Sequence, residues 1–344
     1  MEQASIYDYD RSDLAKAFTA AGFSNYKVRQ LYDWLYKKSV NKLTAMSNLS
    51  KDFKAYLAAE YSFEPLQLVK QQVSADGTLK LLFSCADQAC FETVIMRHSY
   101  GNSLCVSSQI GCLMGCRFCA SGLVKKERDL KVGEMVLQVL QAQQLLSERI
   151  DNVVVMGSGE PFDNYDAVLK FLDIVNDDWG LGIGVRHLSL STCGLVPQIV
   201  TFSQEKAYNL AISLHSADDE IRDYLMPINR KYGLAELKKA LQDYSKEKNR
   251  RISLEYILFQ GINDDRKAVE DLKAFMKGLP NVYLNLIPYN EVPEFDFKAV
   301  SDIAALKFYD SLKKAGLAVT LRNRRGDDID AACGQLRNRW AKEK

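Results

Sequence analysis

Residues 111–119 read Gly-Cys-Leu-Met-Gly-Cys-Arg-Phe-Cys, which places Cys112, Cys116 and Cys119 on one short loop. Thiolates at this spacing suit three corners of a small iron–sulfur cluster, because thiolate is the soft ligand that such clusters select. A 4Fe–4S cluster held by three cysteines leaves one iron open to a substrate or cofactor. The alternatives are three buried structural cysteines, or a zinc site whose fourth ligand comes from elsewhere in the chain.

From about residue 103 onwards, apolar runs alternate with amphipathic helical patterns. Strands are predicted over residues 104–108, 152–157, 187–192, 209–215, 252–259, 282–289 and 318–322. Helices are predicted over residues 132–148, 165–176, 234–248, 266–277 and 300–315. This alternation predicts an α/β fold with right-handed crossovers, and its six main units predict an incomplete (β/α)6 barrel. The cysteine loop follows the first predicted strand, at the end of a barrel where chemistry takes place.

The chain before the barrel divides into two regions. Helical patterns over residues 14–21, 26–38 and 50–60 predict a small domain whose first helix is capped by Ser12. Apolar alternation over residues 66–73, 78–84 and 90–96 predicts a short antiparallel β extension. We therefore predict four regions: a helical accessory domain 1–64, a β extension 65–100, a partial barrel 101–325, and a C-terminal loop with a basic tail 326–344.

Polar motifs follow several predicted strands. Residues 157–161 read Gly-Ser-Gly-Glu-Pro after the second strand, where glycines allow a ligand to approach and Glu160 can accept from an ammonium group. Other polar or ligand-facing candidates end the third, fourth and sixth strands: Ser191, Ser213, Leu214, His215 and Asn290. Taken singly, such residues are also typical of plain turns or a satisfied core histidine. Their shared position at one end of the barrel predicts contacts with one ligand.

Residues 326–336 form a polar stretch, Gly-Asp-Asp-Ile-Asp-Ala-Ala-Cys-Gly-Gln-Leu, beyond the last predicted strand. Its composition predicts a loop that folds back over the barrel mouth. Cys333 on this loop is a candidate nucleophile, provided that its thiolate is stabilised. The alternative is a small packing residue in the last turn.

The Cys-x3-Cys-x2-Cys run resembles the cluster motif of radical S-adenosylmethionine (SAM) enzymes. The C-terminal loop and Leu-Cys-Val-Ser-Ser-Gln at residues 104–109 resemble, more narrowly, the RlmN/Cfr family of radical-SAM RNA adenine methyltransferases. The resemblance covers residues 78–336 and, more loosely, the N-terminal helices. It implies a radical-SAM barrel, one 4Fe–4S cluster, and two SAM molecules per turnover, one as methyl donor and one as radical source.

The resemblance also implies a role for each motif. Cys112, Cys116 and Cys119 hold the cluster, and the residues that contact SAM are Gly159, Glu160, Ser191, Ser213, Leu214, His215 and Asn290. Cys333 takes a methyl group from one SAM, and the radical derived from the second SAM removes hydrogen from that group. The resulting methylene radical adds to C2 of adenine. Cys105 then attacks the Cys333 sulfur, which releases methylated RNA and leaves a disulfide, while Glu92 matches the family's proton acceptor.

Gly-Glu-Pro at residues 159–161 and Arg-Gly-Asp-Asp-Ile-Asp at residues 325–330 resemble the C2-methylating branch of the family. This implies methylation of adenosine 2503 in 23S rRNA and of adenosine 37 in tRNAs. Ser158 departs from the family, where methionine or isoleucine is common. One alternative is methylation at C8 of the same rRNA adenosine. Another is a non-catalytic RNA-binding protein with a structural metal site.

The net charge of +1 excludes a globally basic RNA-binding protein, so RNA affinity has to come from local groups. The candidate basic groups are Lys125, Lys126, Arg128 and Lys131; Lys248, Arg250 and Arg251; and Arg322, Arg324, Arg325, Arg337 and Arg339. Each could instead be a solvated face. Eight cysteines without a signal-peptide pattern or a membrane-length apolar run favour the reducing cytoplasm. The expected partners are 23S rRNA, tRNA and an electron donor such as flavodoxin or ferredoxin; we expect a monomer.

Overall fold

The computed structural model describes residues 3–205, 208–248, 250–322, 326, 328–330 and 334–343. The strands are β1 (Ala4–Ser5), β2 (Tyr61–Ser62), β3 (Gln67–Val73), β4 (Leu79–Ser84), β5 (Cys90–His98), β6 (Gly101–Cys105), β7 (Gln109–Ile110), β8 (Arg128–Asp129), β9 (Asn152–Val155), β10 (Leu188–Thr192), β11 (Asn209–Ser213), β12 (Ile252–Leu258), β13 (Val282–Pro288) and β14 (Val319–Leu321). The helices are α1 (Arg11–Ala20), α2 (Tyr26–Tyr32), α3 (Lys51–Glu60), α4 (Val132–Leu146), α5 (Tyr165–Asn176), α6 (Val196–Glu205), α7 (Asp219–Leu225), α8 (Leu234–Lys248), α9 (Arg266–Met276), α10 (Asp302–Lys314) and α11 (Gln335–Glu343).

Ten of these strands form one sheet in the order β14-β13-β12-β11-β10-β9-β6-β5-β4-β3. The run from β6 through β9 to β14 is parallel, and each step along it crosses through at least one helix. The strands β6 and β9–β13 are the six units of the predicted partial barrel, and β14 adds a parallel edge strand. Strands such as β12 are buried nearly throughout, because helices cover the outside of the barrel.

The antiparallel extension belongs to the same sheet as the barrel, since β5 pairs with both β4 and β6. Lys80 lies opposite Val94, and Val94 lies opposite Cys105. Residues that face each other across strands share a sheet face, and so do residues two apart on one strand. Lys80, Glu92 and Cys105 therefore occupy one face of the sheet.

The N-terminal helices share one hydrophobic core with the barrel. Asp8 accepts a hydrogen bond from Gly133 N–H at 2.7 Å, at the start of α4. The guanidinium of Arg11 lies over the Trp179 ring, 4.6 Å from its centroid, and pairs with Asp177. Charge and aromatic contacts thus fix this helical region to the barrel.

Several predicted boundaries shift in the structure. Asp10 caps α1, because its carboxylate accepts from Asp13 N–H at 2.8 Å; the prediction of Ser12 as the cap was wrong. The first barrel strand begins at Gly101 rather than at residue 104, since a tight β5–β6 hairpin pairs His98 with Gly101. In the described part of the chain, no helix is both long enough and apolar enough to span a bilayer.

Candidate active site

The cysteine loop leaves β7 and returns through β8, at the carboxyl end of the barrel strands. Gly111 has a φ of +79°, and a Cβ there would overlap the Lys125 carbonyl oxygen, so the turn requires glycine. The Arg117 N–H donates to the Leu225 carbonyl at 3.0 Å, and the Phe118 ring packs edge-on against His215 at 4.9 Å. These contacts seat the loop against the end of α7 and the turn that follows β11.

The three thiols converge on one region. Burial raises the pKa of the Cys112 thiol to about 12 and that of Cys116 well above its usual value, and the charge of Cys119 raises both further. Among the described residues, no three His, Cys, Asp or Glu side chains are arranged to hold a single metal ion. Three thiols on one short loop are the soft donors that an iron–sulfur cluster selects, so this donor set fits such a cluster.

Two buried hydroxyls adjoin this region, Ser108 Oγ and Ser121 Oγ, and neither has a hydrogen-bond partner among the described residues. Buried polar atoms normally have partners. Their position beside the cysteine loop is consistent with a site that receives a polar ligand.

Glu160 lies in the turn after β9, and this turn fits closely against the cysteine-loop strand. Gly159 has a φ of +107°, and a Cβ there would lie 2.6 Å from the Gln109 Cβ. The Glu160 carboxylate accepts from Phe162 N–H at 3.1 Å and from Cys193 N–H at 2.8 Å. Burial raises the pKa of this carboxyl, while the two N–H donors oppose the rise. Carboxylate oxygens have further lone pairs, so Glu160 can still accept from an ammonium group.

Ser158, the departure from the family pattern, acts through its backbone. Its N–H donates to Ser107 Oγ at 2.9 Å, and its carbonyl accepts from the N–H groups of Ser108 and Gln109. Any residue can make these bonds. The neighbouring Gly159 and Glu160 therefore keep their positions with serine at 158.

The remaining predicted ligand residues lie at neighbouring strand ends. Ser191 is buried in β10, Ser213 ends β11, and Asn290 is half-buried after β13. Asn290 lines a cavity of about 600 Å³ between the loop after β13 and the C-terminal segment. Leu214 differs, because its side chain belongs to the main core and its N–H and carbonyl bind Glu255 and Arg222. Its described contacts are those of a residue that positions Ser213 and His215.

His215 is held in one protonation state. Its φ of +55° is left-handed, its carbonyl accepts from Asn263 Nδ2 at 2.7 Å, and its Nδ1 accepts from Ile257 N–H at 3.1 Å. Burial, with a smaller contribution from the Arg222 charge, lowers the pKa of His215 to about 3. The ring is therefore neutral in the folded protein at physiological pH.

The burial of His215 predicts that the folded protein loses stability in acid. The folded-state pKa lies below the ordinary value of 6.5, so His215 contributes stability above that pH and loses it as the pH falls towards 3. Between about pH 6.5 and pH 5 the loss is up to about 2 kcal/mol, at about 1.4 kcal/mol per unit. The free energy of unfolding in urea, measured for wild type and His215→Asn at both pH values, gives this loss. A variant with the same acid slope as wild type would contradict the assignment.

Arg222 is a residue of the site that the sequence did not reveal. Its side chain is 0% exposed. Its guanidinium donates to the carbonyls of Cys193 at 2.8 Å, Ser213 at 3.2 Å and Leu214 at 3.1 Å, and to Asn229 Oδ1 at 2.6 Å. One side chain thereby joins the ends of β10 and β11. An arginine in a short polar helix is usually read as a surface residue, so no local signal pointed to it.

The structure describes one of the two thiols that the resemblance assigns to catalysis. Cys105 is buried as the last residue of β6, whereas Cys333 lies outside the described residues, as does any disulfide between them. The residue after Cys333 is described: Gly334 N–H donates to the Glu92 carboxylate at 2.7 Å. Cys193, interpreted from the sequence as a packing residue, lies in an apolar cluster with Phe118.

Ion pairs within the chain engage part of the predicted basic surface. Lys126 pairs with Asp163 at 2.8 Å, and Arg128 pairs with Glu134 at 2.8 Å. In the C-terminal segment, Arg337 and Arg339 also pair with acidic side chains, those of Glu127 and Asp330. Arg324 and Arg325 lie outside the described residues. The basic groups around the barrel mouth therefore leave less charge for phosphates than their number suggests.

Known proteins match this chain along nearly its whole length. Residues 106–272 match the Radical SAM superfamily, and residues 4–62 match the ribosomal RNA large subunit methyltransferase N-terminal domain. The chain is 45% identical over 340 residues to the probable dual-specificity RNA methyltransferase RlmN of Staphylococcus aureus strain JH9, covering 98% of this chain and 93% of that protein. The chain belongs to the RlmN family.

A solved structure supports the RlmN assignment. The crystal structure of a radical SAM methyltransferase from Sphaerobacter thermophilus superposes with a TM-score of 0.91, at 37% identity, covering 96% of this chain and 98% of that one. The predicted resemblance and the radical-SAM partial barrel are thereby confirmed. As an RlmN-family protein, the chain is a radical-SAM methyltransferase, which removes the alternative of a non-catalytic RNA-binding protein.

Proposed function

We propose that this RlmN-family enzyme methylates C2 of adenosine 2503 in 23S rRNA and of adenosine 37 in tRNAs, with Cys333 as the methyl carrier and Cys105 as the resolving thiol. The relatives named dual-specificity RNA methyltransferase RlmN support the RNA class. One structural observation carries the thiol assignment. Cys105 shares its sheet face with Glu92, and Glu92 binds the residue that follows Cys333.

The site residues fit the proposed cofactors. Cys112, Cys116 and Cys119 would hold a 4Fe–4S cluster, which when bound supplies the electron for reductive cleavage of SAM. Glu160 would accept from the SAM ammonium group, because it is fixed by two N–H donors and shielded from water. Ser191, Ser213, His215 and Asn290 surround the same end of the barrel. The proposal includes two SAM molecules per turnover, one for each role.

The RNA has to present an unstacked base. Adenine C2 lies at the minor-groove edge of a stacked helix, so the base must leave the stack to reach the barrel interior. Looped or single-stranded RNA meets this requirement, as both proposed targets would. We propose a monomer that works in the cytoplasm, where these RNAs are, and that receives single electrons from flavodoxin or ferredoxin.

Cys105→Ala tests the proposal directly. Without a resolving thiol, RNA should stay bonded to Cys333, so protein purified anaerobically from cells should carry covalent RNA. Mass spectrometry of nuclease- and protease-treated protein identifies the bonded cysteine and nucleoside. Cys85→Ala, the same change at a buried cysteine on the other side of the extension, should carry none. Cluster-loaded Cys105→Ala protein free of RNA would refute the resolving role.

The product separates C2 from C8 methylation. Methylated RNA from wild-type enzyme, digested to nucleosides and compared with both standards by chromatography, should contain 2-methyladenosine. If 8-methyladenosine were the sole product, the branch assignment would fail while the radical-SAM chemistry stood.

A further inference from the structure

The antiparallel extension holds the C-terminal segment along the face that Cys105 shares. At the β3–β4 hairpin, the Asp328 carboxylate accepts from Ala75 N–H at 2.9 Å and from Ser74 Oγ. Gln72 Nε2 donates to the Asp330 carboxylate at 2.8 Å, and Gln72 Oε1 accepts from Asp330 N–H at 3.2 Å. The chain is therefore fixed on the extension up to Asp330, three residues before Cys333.

Beyond Cys333 the chain is fixed again. Glu92 accepts from the N–H groups of Gly334 and Arg337, both at 2.7 Å, and so caps the start of α11. Leu336 of α11 packs against Leu82 on the same sheet face. A Cβ on Gly334 would lie 2.7 Å from Ser121 N, so this residue also abuts the turn that follows Cys119.

The buried ammonium of Lys80 connects the chain segments before and after Cys333. The Lys80 side chain is 0% exposed, and its ammonium lies 2.9 Å from the Glu92 carboxylate. The same ammonium donates to the Asp330 carbonyl. Lysine is almost never fully buried without a partner, because the charged form is costly to desolvate. Here the ammonium contacts the chain before Cys333 directly and the chain after it through Glu92.

We propose that Lys80 is a positioning residue for the methyl-carrying thiol: the Lys80–Glu92 pair forms a clamp that fixes the chain on both sides of Cys333 beside the cluster loop. The inference rests on the proposed function for the role of Cys333, but the clamp itself is a structural claim. It also gives Glu92 a second duty. Its two oxygens accept from Gly334 N–H and Arg337 N–H and pair with the Lys80 ammonium, so Glu92 holds this segment whenever α11 is docked.

Hydrogen exchange tests the clamp without cofactors or RNA. Lys80→Met and Glu92→Gln remove one partner each, and the double variant leaves no unpaired buried charge. In each, amides in a peptide spanning residues 334–340 should exchange about tenfold faster or more, because hydrogen bonds to a charged acceptor protect them. Lys51→Met, the same change at an exposed lysine, should exchange as wild type does. Unchanged exchange in a folded double variant would overturn the clamp.

Product partitioning tests the link to catalysis. With rRNA, SAM and a chemical reductant, Lys80→Met should still form 5′-deoxyadenosine within about twofold of wild type, since the Lys80 ammonium contacts Glu92 in β5 and Asp330 in the C-terminal segment. Methylated RNA should fall about tenfold or more, because a misplaced methyl group is a poor hydrogen donor. An equal fall in both products would overturn the positioning role. A wild-type enzyme that makes no methylated RNA would refute the proposed function, and the exchange result would still decide the clamp.

Discussion

Cys116→Ala is expected to abolish SAM cleavage and most of the bound iron. Changes to residues that only orient a metal ligand already cost about 10- to 100-fold in metal affinity. Removal of one of three ligands should therefore cost at least as much. Among the described thiols, the neighbouring Cys193 is not expected to replace the lost ligand, because it is buried in the apolar cluster around Phe118. Iron content and visible absorbance of anaerobically reconstituted protein measure the effect.

The matched control for this prediction is Cys193→Ala. Cys193 is buried and Cys116 is partly buried, and the two lie near each other, since the charge of Cys116 raises the pKa of Cys193. If the cluster is held by the three-cysteine loop alone, Cys193→Ala keeps its iron and its absorbance. Loss of iron from Cys193→Ala, with iron retained in Cys116→Ala, would show that the ligand set was misassigned.

The barrel and the cysteine loop were predictable because their signals are local. Strands buried on both faces are continuous apolar runs, and all seven predicted barrel strands are found: the first begins three residues earlier than predicted, and the other six are shorter. The spacing of Cys112, Cys116 and Cys119 indicates a shared ligand whatever the rest of the chain does. Helix α8 was predicted at its observed bounds, since its amphipathic pattern is long and ends without ambiguity.

The unpredicted parts depend on contacts between distant residues. Helix α7 has seven residues and a largely charged sequence, so its pattern is too short to recognise. Lys80 looks like an ordinary solvent-facing strand residue until Asp330, 250 positions away, is seen to cover it. The pairing of β5 with β6 likewise joins the extension, which the sequence presents as a separate region, to the barrel sheet. The C-terminal segment lies on this joined sheet. No local sequence pattern indicates that such a residue is buried.

Arg222→Met is expected to lower the free energy of unfolding by about 3 kcal/mol or more. The change leaves three buried acceptors and one part-buried acceptor without their donor. Each buried loss costs about 1–3 kcal/mol, partly offset because a buried cation is removed. Urea unfolding measures the loss. Arg186→Met, at an exposed arginine, should stay within about 0.5 kcal/mol of wild type.

The same change should weaken SAM binding, because Arg222 holds the backbone that carries the proposed ligands. Its bond to the Cys193 carbonyl fixes the residue whose N–H holds Glu160, and its bonds to Ser213 and Leu214 fix the end of β11. Arg222→Lys keeps the charge, but a single ammonium cannot span acceptors on three segments. If geometry rather than charge is what Arg222 supplies, the lysine variant should lose SAM affinity nearly as far as the methionine variant, by about 10-fold or more. Equilibrium SAM binding decides this, and a lysine variant with wild-type affinity would show that the charge alone is sufficient.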